Sequence, residues 1–82
     1  MCRNITILRG LQPEPTTEEI RAAALQYVRK VGGLQSITAR TTEAVERAVA
    51  RVAAATEDLL ADLPPRQSPP PVEPPLRRMA RR

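Results

Sequence analysis

The sharpest chemical group in this chain is Cys2, set between Met1 and Arg3 and unaccompanied by any second cysteine. Loss of the methionine would leave it as an N-terminal aminothiol, and a neighbouring cation favours the reactive thiolate. Nucleophilic catalysis also needs a base within hydrogen-bond reach, and the chain has no histidine to supply one. Cys2 therefore stands as a candidate reactive thiol, with packing at the start of the chain as its plain alternative. Carboxylates are the other candidates for acid–base or metal work: Glu18 with Glu19, and Glu57, Asp58 and Asp62. Their oxygens suit a hard cation. However, the first pair sits where a helix begins, and the second set reads as an exposed helix face. Gly32-Gly33 lacks the downstream Lys-Ser or third glycine of a phosphate cradle. The expectation is a non-enzyme, with no catalytic constellation, no cofactor-binding residue, no cofactor and no metal site.

Charge is divided along the chain. Basic and acidic residues cancel up to Leu63, so the net charge of +4 resides in 64–82, where Arg66, Arg77, Arg78, Arg81 and Arg82 face only Glu73. Arg77, Arg78, Arg81 and Arg82 are candidate contacts for phosphates or for a protein partner. Phosphate contacts of this kind give weak, sequence-independent and strongly salt-dependent binding, and no aromatic platform accompanies them. Alternatively, Pro69 to Pro75 forms a stiff polyproline spacer, with Pro71-Val72-Glu73-Pro74 as a formal P-x-x-P motif. A third reading is a disordered solubilising tail, which this composition favours. Truncation after Leu63 is then expected to leave the fold intact.

The elements that must position these groups are helical. Arg3 to Leu8 is β-branched and apolar, but it has no partner strand, so it reads as an extended arm whose Ile5, Leu8 and Leu11 cover helix surface. Gly10 and Pro13-Glu14-Pro15 interrupt regular structure. Thr16 with Glu19 is a capping box, and Ile20, Ala23, Ala24, Tyr27, Val28 and Val31 recur at helical spacing. Tyr27, at the centre of that stripe, is expected in the core. Arg29 and Lys30 in the last turn, Gly32-Gly33 and then Leu34 mark the end of the helix. After a polar connection, Thr41 or Thr42 caps a longer helix whose stripe is Val45, Ala48, Val49, Val52, Thr56, Leu59, Leu60 and Leu63. Glu43 and Arg47 form an i,i+4 pair on it, and Pro64-Pro65 stops it. The fold class is all-α: a two-helix antiparallel hairpin (about 16–32 and 42–63) with an extended N-terminal arm and a disordered Pro/Arg-rich tail. The domains are 1–15 arm, 16–63 hairpin and 64–82 tail.

Such a chain struggles to bury a sufficient core alone. Its single cysteine excludes an internal disulfide, and the lack of histidine excludes a Cys/His zinc site. Self-association or a partner remains, and the stripes are rich in alanine, which buries little area. The expectation is a homodimer built as a four-helix bundle, or a hairpin completed by another protein. Its packing or dimer face is Ile20, Tyr27, Val28, Val31, Val45, Val49, Val52, Leu59 and Leu60. Weak nucleic-acid association through the tail is the alternative. No apolar stretch approaches the length of a membrane span, and no segment reads as an export signal. A single thiol fits a reducing compartment, so a cytoplasmic protein is expected. Abundant arginine and alanine suggest a GC-rich bacterial genome.

The sequence also resembles a known family. Met1-Cys2-Arg3-Asn4-Ile5, the run Glu18 to Lys30 behind Thr16, and Gly33 are similar to a bacterial family of small proteins, domain of unknown function 2277. Its members begin Met-Cys-Arg-Asn-Ile. Arg47-Ala48-Val49, Val52 to Thr56, Leu59-Leu60, Leu63 and Pro64-Pro65-Arg66 fit the same pattern. The resemblance implies that arm and helices form one unit, and it implies no activity, substrate or cofactor. Arg9, Leu11, Leu34 and Val45 stand where the family typically has Phe, so much aromatic packing is missing here. The family's tail is usually rich in Arg, Ala and Glu, whereas this one is broken by prolines.

Overall fold

A computed structural model describes residues 3–80 of the chain. The described residues are helical and contain no strand: α1 is Thr17–Gly32, α2 is Thr42–Asp62 and α3 is Pro75–Ala80. The start of α1 is the reciprocal cap that Thr16 and Glu19 predict. The Glu19 amide donates to Thr16 Oγ1 at 3.1 Å, and the Thr16 amide donates to Glu19 Oε1 at 2.8 Å. Its end is equally local. Gly33 adopts φ 66°, a left-handed conformation that costs glycine no Cβ clash, and the Leu34 amide reaches back to the Arg29 carbonyl at 2.9 Å.

Helix α2 begins differently. Thr41 stands at its N-cap but makes no side-chain cap to the helix; its hydroxyl instead accepts from the Thr38 amide at 3.0 Å. Thr42 Oγ1 donates to the same residue's carbonyl at 2.7 Å, so the connection is folded on itself by hydroxyls. At the other end Leu63 is extended, as a residue preceding proline should be.

The helices pack through two clusters. Ala24, Val45 and Val49 are buried together, joined by Leu25, Val28, Leu34 and Val52. Leu8, Leu11 and Ile20 form the second, joined by Ala53 and Leu60. The arm therefore supplies two of the three buried residues of the second cluster, as its sequence predicts for Leu8 and Leu11, while Ile5 is half exposed. Polar clips fix it: the Asn4 amide donates to Gln26 Oε1, and Arg9 Nε donates to the Pro64 carbonyl at 2.9 Å.

Two expectations need correction. Residues 64–80 are not a loose tail. Pro70 and Pro74 are buried, α3 follows, and Arg77 pairs with Glu19 at the start of α1. The carboxylate of Glu19 has more acceptor sites than one capping bond uses, and the tail takes the remainder. Tyr27 is not core, being 49% exposed, while Val31 is 70% exposed. Helical periodicity locates an apolar face, but the single neighbour α2 is too narrow to cover all of it.

Candidate functional site

Part of the uncovered apolar surface lies between the second half of α1 and the first half of α2. Tyr27, Val28, Val31 and Gly32 form one wall of an open groove of about 600 Å³, and Ala44, Ala48 and Val52 form the other. Arg47 and Arg51 stand at its edge, and no carboxylate lines it. Leu59, farther along α2, is 54% exposed. Of the predicted face, Ile20, Val45 and Val49 are buried, and Val28, Val52 and Leu60 partly so. Tyr27, Val31 and Leu59 remain open.

Two other clefts are weaker candidates. One is framed by the arm, the end of α2 and Pro64 to Pro69, with Leu8, Leu11 and Leu60 among its lining. Arg9, Glu14, Glu57 and Arg66 give it mixed charge, and the chain's own tail forms a wall. The second gathers Arg3, Arg29 and Lys30 beside Asn4 and Gln26. Arg29 is already engaged there, since its guanidinium donates to the carbonyls of Leu34 and Gln35 and so closes the end of α1.

The tail's arginines divide into different roles. Arg77 Nε donates to Glu19 Oε2 at 3.1 Å and its Nη2 to Glu19 Oε1 at 3.0 Å, with a further bond from Nη2 to the Glu14 carbonyl at 3.2 Å. The Glu19 side chain is only 4% exposed and that of Arg77 11%, so this bidentate, charge-assisted pair is a strong tether. Arg77 is therefore no free phosphate contact. Arg78 is exposed, whereas Arg81, Arg82 and Cys2 lie outside the described residues. Sequence reasoning missed the tether because Glu19 already had a sufficient local role in the cap. Gly10 reads from the sequence as a break in regular structure, but not as a close contact: its φ is 89° and a Cβ there would come within 2.8 Å of the Arg66 Cβ.

Glu57, Asp58 and Asp62 are exposed, and among the described residues no group of three Cys, Asp or Glu side chains is placed to hold a metal ion. No described helix is long and apolar enough to cross a membrane. No curated protein and no solved structure matches this chain. A family model matches residues 1–82, so the match extends through the Pro-rich tail as well as the arm and helices. With its opening pentapeptide, first-helix block and returning tail inside one match, the chain belongs to the family described as "Uncharacterized conserved protein (DUF2277)".

Proposed function

We propose that this chain is a small bacterial, cytoplasmic, non-enzymatic interaction module. Residues 16–63 act as an antiparallel helical hairpin that presents the α1–α2 groove to a protein. The observation carrying this reading is the exposure of Tyr27 and Val31 along the groove, on helices whose other apolar face is buried. Contiguous exposed apolar surface flanked by charge is characteristic of protein contact sites. Capture from host cells with tagged full-length chain tests it. Val31→Asp, on an exposed site, should abolish specific capture while leaving helical content unchanged; equal capture by both forms overturns the reading.

The rival reading is weak nucleic-acid association through Arg77, Arg78, Arg81 and Arg82. It has less support, because Arg77 is committed to Glu19. Filter binding by the full chain over a salt series should show no retention near physiological ionic strength; salt-sensitive retention there would favour the rival.

A further inference from the structure

Building on that interaction reading, we propose that the occupant of the groove is a second copy of this chain, packed antiparallel along α2. Helix α2 carries two apolar ridges. Val45, Val49 and Leu60 face the interior. Ala48, Val52, Ala55 and Leu59 form a second ridge, spaced four, three and four residues apart as helix–helix seams are. On this second ridge Leu59 and Ala55 are exposed and Ala48 and Val52 only partly covered.

A twofold axis crossing α2 near its centre sets Leu59 of each copy over Ala48 of the other, and Val52 over Ala55. Large side chains then meet small ones, which lets the helices approach closely. Leu59 also enters the other copy's groove beside Tyr27 and Val31, covering α1 at the same time. The contact is isologous and closes on itself.

Charge selects this arrangement over the alternatives. One flank of the ridge carries Arg47 and Arg51 early and Asp58 and Asp62 late. Arg51, Asp58 and Asp62 are exposed and have no ion-pair partner among the described residues. An antiparallel twofold lays the basic half of each flank against the acidic half of the other, twice over. A parallel twofold pair would not bring this flank against itself, and so would leave these charges without partners. An acidic helix from another protein would satisfy the arginines but lie against Asp58 and Asp62.

Sedimentation equilibrium of the full-length chain over about 1 to 100 μM tests the proposal. The dimer mass is expected, and Leu59→Lys should weaken dimerisation by about tenfold or more. Arg51→Glu should weaken it severalfold, and the double reversal R51E/D58R should restore it to within about threefold of the starting chain. A monomer throughout this range, with helical circular dichroism intact, overturns the proposal, and failure of the double reversal overturns the antiparallel register. A photo-reactive azidophenylalanine at the exposed Tyr27, used in cells, separates the two layers of the reading. An adduct of two copies supports the dimer. Adducts solely with other proteins overturn the dimer and leave the interaction module standing, and absence of any adduct overturns both.

Discussion

The two ends of the helix pair differ in how their apolar surface is closed. At one end Ile20 is covered by Leu8 and Leu11 of the arm, and the tail returns to place Arg77 on Glu19. At the other end Tyr27 and Val31 are left open, with only Leu34 folded back nearby. Nothing in the helical spacing separates the ends, because the stripe is continuous from Ile20 to Val31. The difference comes from the flanking chain, which supplies the arm and the tail to the first end and Leu34 to the second. Surface left open on so small a protein invites closure from outside.

If the closed end depends on the tail, removing Arg77 should have the largest effect. Arg77→Met leaves a buried Glu19 carboxylate without its cation, and a loss of about 3–5 kcal/mol is expected in urea unfolding. A stability equal to the parent would show that the tail contributes nothing to the closed end. Gly10→Ala comes next, because it combines a positive φ with a Cβ only 2.8 Å from Arg66. It should cost about 1–3 kcal/mol and raise amide exchange in the arm and in residues 64–70. Thr16→Ala removes one half of the capping box and should cost about 1 kcal/mol, again by urea unfolding. The open end should behave in the opposite way. Val31→Ser, measured at a concentration where the chain is monomeric, should change stability by no more than about 0.5 kcal/mol. A loss comparable to that of Arg77→Met would mean that the open end is closed within the monomer after all.

What could be read in advance follows the distance over which each signal acts. The capping box, the Gly33 cap and the stop before Pro64 are decided by residues within one helical turn, and they stand as their sequence implies. The arm's cover was legible because Leu8 and Leu11 are apolar residues with no other place to go. The tether was not, since Arg77 and Glu19 lie 58 residues apart and each had a local explanation of its own. Net charge counted the tail's arginines as a group and so hid that one of them is internal. Tyr27 was misplaced for a related reason: periodicity gives the direction of a face but not the width of the element packed on it. Of the groove's lining, Tyr27, Val28, Val31, Val45 and Val52 belong to the face expected from spacing, whereas Ala44, Arg47 and Arg51 do not, and which apolar residues remain open depends on how far arm and tail extend.

The pairing of Arg77 with Glu19 also bears on how the molecule is made. A ribosome completes α1 long before it reaches codon 77, so the carboxylate at the head of that helix emerges without its counter-ion. Contacts between residues far apart in sequence form late because the intervening loop must close first. The first helix to be synthesised is consequently among the last elements to be secured. Until residues 64–80 follow, the cleft beside Leu8, Leu11 and Ile20 lacks the wall that Pro64 to Pro69 supply, and a nascent chain stalled before them would present that cleft to chaperones and proteases. Return of residues 64–80 to the head of α1, rather than synthesis of the helices, is then the event that completes this fold.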